Sequence, residues 1–179
     1  MPTHTTSALW IYNASLLEQA AAMVVRLQNE ATADFNYAQA IGPHLRHIIE
    51  HYTALLQALD SEAWLVDYDA RERDLTLQSL PQASVAKLQE LRARMLFLAS
   101  TRGPYAAMNT PLSTCLQVGT AGELRVTVLT SLGRELTFLA SHTVHHFAVL
   151  AQYSKAAGID LGHHFGKAPA TLAYERQSA

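Results

Sequence analysis

The chain has 179 residues, of which 49% are apolar and 16% are charged, and its formal net charge is −2. This length and composition fit a single globular domain over residues 1–179 that can bury its own core. The charge balance gives no electrostatic reason to expect nucleic acid, whose binding proteins typically carry a basic face, so we expect no nucleic-acid partner. The single cysteine, Cys115, excludes an intrachain disulfide and a thiolate metal cage, and it is most simply explained by a cytoplasmic location.

The N-terminal region has no basic stretch followed by an apolar run, so no secretory signal is expected. The longest apolar run near it, residues 20–25, is far shorter than a membrane span. We therefore expect no membrane partner.

Four helices are predicted from apolar residues that recur at helical spacing. In chain order they cover roughly residues 8–30, 42–60, 80–100 and 131–157. Pro43 fits the first turn of the second helix, and Gly158 is typical of the residue that ends the fourth. Helices of this kind favour an all-α bundle, in which metal sites are built from side chains on facing helices.

The connections between these helices differ in character. Residues 61–78 contain a charged loop at 67–74. Residues 112–130 alternate between apolar and polar side chains around a glycine-containing turn, which predicts a small β-hairpin between the third and fourth helices. The tail over residues 159–179 is predicted to be irregular but ordered in part, because Phe165, Leu172 and Tyr174 could pack back on the helices.

Two histidines of the fourth helix, His142 and His146, lie four residues apart and therefore on one helical face. From the helical period, they fall about 60° and 20° from Leu139, within the apolar stripe, whereas His145 falls about 120° away. Two core histidines satisfied by hydrogen bonds would show the same pattern. We interpret the inward pair as candidate metal ligands, and His145 as a residue outside the site.

A third ligand is expected from the second helix, which carries His44, His47 and His51. Periodicity alone does not choose among them, and the remaining two could be surface residues or hydrogen-bonding partners of the ligand. Three neutral nitrogens leave open positions on a metal ion. Such a site suits catalysis or substrate binding rather than a structural role.

The segment His142-Thr-Val-His-His146 carries no glutamate between its outer histidines, which disfavours a zinc-protease mechanism. Glu50 or Glu135 could supply a carboxylate ligand, or could instead orient an imidazole. His163 follows the end of the fourth helix and is not expected to bind metal.

Two motifs resemble those of the DinB-like family of metal-binding helical bundles, which includes bacterial thiol S-transferases. They are Ile41-Gly-Pro-His-Leu-Arg-His-Ile-Ile-Glu-His-Tyr52 and Ser141-His-Thr-Val-His-His146. The likeness covers nearly the whole chain, and the charged loop and residues 165–169 look like an uncharacterised subgroup. The register of the family motifs selects His47, His142 and His146 as the ligands.

The resemblance implies an up-down-down-up four-helix bundle, here with a small β-hairpin insertion between helices three and four. It also implies a divalent metal, zinc or nickel, and a small-molecule substrate such as the thiol bacillithiol, mycothiol or glutathione. The predicted function is a metal-dependent, thiol-dependent S-transferase. The alternatives are a metal-dependent hydrolase, a non-catalytic metal-binding or interaction bundle, and a metal-free bundle with a histidine-lined pocket.

Two further expectations concern the surroundings of the site. Three neutral ligands leave the charge of a dication uncompensated, so its open face should favour an anion. We expect a cleft lined by the ligands and by side chains such as Tyr12, Asn13 or Tyr52. An exposed apolar face on a long helix would also allow a homodimer.

Overall fold

The structure, a computed structural model, describes residues 4–178 and the side chains of residues 7–178. Within that range the chain forms seven α-helices, a short 3-10 helix at Gly103–Ala106 and three β-strands. In chain order they are α1 (His4–Glu30), α2 (Tyr37–Ala40), α3 (Gly42–Asp60), β1 (Leu65–Asp67), α4 (Leu75–Ser79), α5 (Pro81–Ser100), β2 (Pro111–Val118), β3 (Leu124–Ser131), α6 (Leu132–Ala156) and α7 (Pro169–Gln177).

The four long helices lie where their apolar periodicity predicts them. Pro43 lies in the first turn of α3, where a missing N–H costs no hydrogen bond. The side chain of Ser131 caps α6 by accepting a hydrogen bond from the backbone N–H of Arg134 at 3.3 Å. Gly158, with φ +83°, follows the end of α6 in the left-handed conformation that glycine adopts at low cost.

The strands form one mixed sheet in the order β1–β2–β3. The hairpin predicted for residues 112–130 is present as the antiparallel pair β2 and β3, with Leu112 opposite Thr130. Its outer partner, β1, pairs in parallel with β2, so that Val66 lies opposite Thr114. The pairing of β1 with β2 thus connects the segment before α4 to the hairpin that precedes α6.

The predicted fold class, an all-α up-down-down-up four-helix bundle with a small hairpin insertion, is wrong. The structure combines seven helices with a three-stranded mixed sheet. Three of the helices span only four, five and nine residues, and β1 spans three, which is too short for an apolar period to show in the sequence. The tail, predicted to be irregular but ordered in part, contains α7, and Phe165 packs against the core as expected.

The core lies between the long helices. α1 packs chiefly against α5 and also against α6, and α3 packs against both α5 and α6. Trp10, Leu17, Leu55, Leu88 and Leu136 are fully buried there. Burial of apolar side chains at about 1.5–3 kcal/mol each supplies the main stabilising free energy.

Helix α1 also has the length and composition of a helix that could cross a membrane. Its segment Ser7–Glu30 contains an 18-residue window with a hydropathy of 1.2, and half of that window is buried inside the protein. A core helix of a soluble protein meets the same criterion. The expectation that the chain has no membrane partner stays a prediction.

Candidate metal centre

The three histidines selected as ligands lie together where α3 faces α6. The candidate ligand atoms of His47, His142 and His146 all lie within 4.8 Å of one another. His142 and His146 stand one helical turn apart with ring centroids separated by 4.7 Å, and Nε2 of His142 lies 2.9 Å from Nε2 of His47. All three side chains are partly exposed.

The donor set suits a divalent cation. Two nitrogens bound to one tetrahedral zinc at about 2.0–2.1 Å lie about 3.3 Å apart, so small side-chain movements would bring these rings onto one ion. Burial, and then the charges of neighbouring histidines and Arg71, lower the pKa of His47 to about 3. Burial and nearby histidines lower the pKa of His146 to about 4. Neutral rings keep the lone pairs that coordination requires, so these histidines could hold a metal ion.

The other two histidines of α3 are partners of this cluster rather than surface residues. His44 Nδ1 lies 3.0 Å from Nδ1 of His146, and His51 Nδ1 lies 2.7 Å from the backbone oxygen of His47. The ring of His51 is buried, and its centroid lies 4.7 Å from that of His142. The cluster therefore continues on both sides of the three candidate ligands.

The two histidines predicted not to bind metal, His145 and His163, are not members of the three-histidine group. His145 is exposed, with its ring centroid 5.8 Å from that of His146, and it is not part of the three-histidine group. His163 lies near the C-terminal helix and pairs with Glu175 at 2.8 Å.

The charged loop at residues 67–74 reaches the cluster through Arg71. Its Nη1 donates a hydrogen bond to Nδ1 of His47 at 2.6 Å and lies 3.5 Å from the Glu50 carboxylate. Glu50 also accepts a hydrogen bond from the backbone N–H of Asp74, and lies 3.9 Å from Nε of Arg46. Glu50 thus holds the loop against α3 and is not one of the grouped ligand residues.

Glu135 belongs to a second buried network beside the cluster. Its carboxylate accepts hydrogen bonds from Tyr68 at 2.7 Å, Thr130 at 2.6 Å and Arg134 at 2.9 Å. The ring of Tyr68 stacks on that of His51, with centroids 5.1 Å apart. Burial and the neighbouring Glu135 carboxylate raise the pKa of Tyr68, which keeps its hydroxyl as the hydrogen-bond donor. Glu135 therefore holds Tyr68 in place, and the ring of Tyr68 packs against His51 beside the cluster.

Sequence reasoning missed Arg71 and Tyr68 because both lie in a segment recognised only as a charged loop. The sequence did contain one signal for Tyr68. It is an aromatic residue between Asp67 and Asp69, and an aromatic ring in a charged segment indicates a packing partner elsewhere in the fold. The polar loop gave no such signal for Arg71, since solvated arginines are common in loops.

The expected cleft lined by Tyr12, Asn13 and Tyr52 is wrong in two of its three residues. Asn13 and Tyr52 are both 0% exposed, and the Tyr52 hydroxyl donates to Asn13 Oδ1 at 2.7 Å. They form a hydrogen-bonded core pair rather than the wall of an open cleft. Tyr12 does line a cavity of about 480 Å³, together with His145 and Ser141, but none of the three candidate ligands lines it.

Comparison with known proteins leaves the family open. No family model matches the chain, and no solved structure matches it. The chain is similar to FK506-binding protein 5 of Rhizopus delemar, with 23% identity over 108 residues. The match covers 60% of this chain and 27% of that relative, which is too little to show a family. The resemblance to the DinB-like family stays a prediction.

Proposed function

We propose that the protein is a metal-dependent enzyme that activates a small nucleophile, most simply a low-molecular-weight thiol, for transfer to an electrophile. The observation that carries this proposal is the cluster of His47, His142 and His146, whose ligand atoms lie within 4.8 Å of one another. The resemblance of the two histidine motifs to the thiol S-transferases of the DinB-like family supports the choice of a thiol. Zinc and nickel are the proposed metals, since imidazole suits both.

Three features of this chain support a catalytic rather than a structural role. The donors are three imidazoles with no carboxylate in the group, so a dication keeps its full charge and open positions. The rings are partly exposed, which leaves room for an incoming group. The core is built from apolar side chains of the long helices, so we expect the fold not to need a metal.

A divalent cation held there would lower the pKa of a thiol or water that coordinates it. The chain's own part is to keep His47, His142 and His146 neutral and aimed at one point. His51 and Phe138 flank His142, with Phe138 stacked on its ring at a centroid distance of 5.4 Å, and so limit access from that side. The anionic form of the nucleophile would thus be stabilised on the exposed side of the cluster.

Metal analysis of protein purified without an affinity tag is the first test, and about one zinc or nickel per chain is expected. The second is a panel of bacterial thiols with monochlorobimane as the electrophile, with and without added metal. We expect a metal-dependent rate that His142→Ala abolishes and that His145→Ala, its exposed neighbour, preserves. A metal-dependent rate on activated esters without any thiol would instead indicate a hydrolase. Bound metal with no rate on either substrate class would leave a non-catalytic metal-binding protein.

A further inference from the structure

We infer that Arg71 competes with the metal for His47 and so sets the metal affinity of the site. This inference rests on the proposed metal centre and adds a residue outside it, from the loop between β1 and α4. In the arrangement described here, Arg71 holds His47 in the one form that cannot coordinate through Nε2. Metal binding must therefore displace Arg71 from His47.

The directions of the hydrogen bonds follow from the chemistry of the two partners. A guanidinium group has only donors, so Arg71 Nη1 must donate to Nδ1 of His47 across their 2.6 Å contact. Nδ1 then uses its lone pair, and neutral His47 carries its proton on Nε2. That Nε2–H points at Nε2 of His142, 2.9 Å away, which accepts it. His47 is thus a donor into the centre of the cluster.

The neighbouring rings carry their proton on the other nitrogen, Nδ1. His142 accepts at Nε2, so its own proton is on Nδ1 and its Nε2 lone pair faces the cluster. His51 must donate its Nδ1–H to the backbone oxygen of His47 at 2.7 Å, which also leaves its Nε2 unprotonated. A ring proton on the nitrogen remote from the metal, donated to an oxygen, is the usual arrangement of a ligand histidine. Of these three rings, His47 alone must change its tautomer to coordinate through Nε2.

The surroundings give Arg71 another place to lie. Arg71 and Glu50 both line a cavity of about 540 Å³, and the Glu50 carboxylate is 3.5 Å from Nη1. Glu50 Oε2 and Arg71 Nε are both buried without a hydrogen-bond partner among the described residues. An arginine that leaves His47 can pair more closely with Glu50, while the Nδ1–H of His47 faces the space it vacated. The positive charge of Arg71 would then lie farther from the cation.

Zinc titration in competition with a chromophoric chelator tests this inference on tag-free protein. Arg71→Met removes the donor and the charge but keeps the aliphatic stem, and it should bind zinc about ten- to a hundredfold more tightly. That range corresponds to one charge-assisted hydrogen bond. Arg46→Met is the matched control, because Arg46 also neighbours Glu50, at 3.9 Å, and its side chain is 21% exposed against 16% for Arg71. It should stay within about threefold of the wild type, since it removes no hydrogen bond to the cluster.

A second measurement needs no variant. Nitrogen-15 spectra of the imidazoles should show the His47 proton on Nε2 in metal-free protein and on Nδ1 after zinc is added. Equal or weaker zinc binding by Arg71→Met, or a proton on Nδ1 of His47 before metal is added, would overturn the inference while leaving the metal centre intact. Zinc binding by Arg71→Met but not by the wild type would support the inference and overturn the proposed metal-dependent function. No zinc binding by either protein would overturn both.

Discussion

Replacing Tyr52 by phenylalanine should lower stability without changing the metal centre. The Tyr52 hydroxyl is fully buried and donates to Asn13 Oδ1 at 2.7 Å. The amide nitrogen of Asn13 is committed to the backbone oxygens of Leu9 and Leu136, so the substitution leaves its side-chain oxygen without this partner. The nearby Thr143 hydroxyl keeps its hydrogen bond to the Leu139 oxygen at 2.7 Å. The expected loss is therefore that of one buried acceptor left unsatisfied, about 1–3 kcal/mol.

For a chain of this length, that loss corresponds to a fall in Tm of about 2–12 °C. Urea unfolding and thermal unfolding of the metal-free protein, both followed by circular dichroism, would measure the lost free energy and the fall in Tm. Tyr12→Phe is the control, because Tyr12 is partly exposed and its hydroxyl makes no hydrogen bond within the described residues; its free energy of unfolding should change by less than about 0.5 kcal/mol. A Tyr52→Phe protein as stable as the wild type would contradict the stabilising role of this buried hydrogen bond. Weakened zinc binding at an unchanged Tm would instead place Tyr52 in the metal site.

Three further outcomes are expected around the cluster. His146→Ala should weaken zinc binding by about a hundredfold or more, since even indirect partners of a metal contribute ten- to a hundredfold, whereas His145→Ala should keep wild-type affinity in equilibrium dialysis. Chelation at 25 °C should remove the metal without cooperative loss of the helical circular dichroism signal, because the core is built from apolar side chains; unfolding on chelation would make the site structural. Metal-free protein should lose stability as the pH falls below 6.5. Burial lowers the folded-state pKa of His47 from 6.5 to about 3, so the unfolded chain takes up the proton first. A Tm that does not fall between pH 7 and 5, or that falls just as steeply in His47→Gln, would contradict this.

The inward pair on α6 was predictable because residues four apart on a regular helix lie on the same face. His142 and His146 share a face four residues apart, and the same count placed His145 outside it, as found. The four long helices were predictable for the same reason, since each carries an apolar stripe over many turns. The hairpin before α6 was predictable from its alternation and its glycine turn. These features depend on local periods that run long enough to be counted.

The choice among the histidines of α3 was not predictable from spacing. His44, His47 and His51 are separated by three and four residues, so all three project from one helical face. The structure uses all three: His47 in the ligand group, His44 against His146, and His51 against the backbone of His47. A period identifies a face, and only the position of the facing helix decides which residue lies nearest its partners.

The prediction of the fold class was wrong for a different physical reason. β1 is three residues long, and it is a strand only because β2 lies beside it, with Asp67 opposite Cys115 across 48 residues of chain. Asp67 also forms an ion pair with Arg125 of β3, which ties the loop to the far strand. Pairing partners of this kind are set by tertiary structure, and no short window of sequence contains both.

The same limit applies to the chemistry of the cluster. His47 and Arg71 are 24 residues apart, and their contact exists because Glu50 and the β1–β2 pairing hold the loop over α3. The contact also determines where the proton of His47 resides, since arginine can only donate. Motif spacing can thus indicate candidate ligands, whereas the position of the His47 proton depends on Arg71, which shares neither its helix nor its motif. The metal affinity of this site should accordingly be more sensitive to the loop at residues 67–74 than to the exposed histidine that adjoins the ligands in sequence.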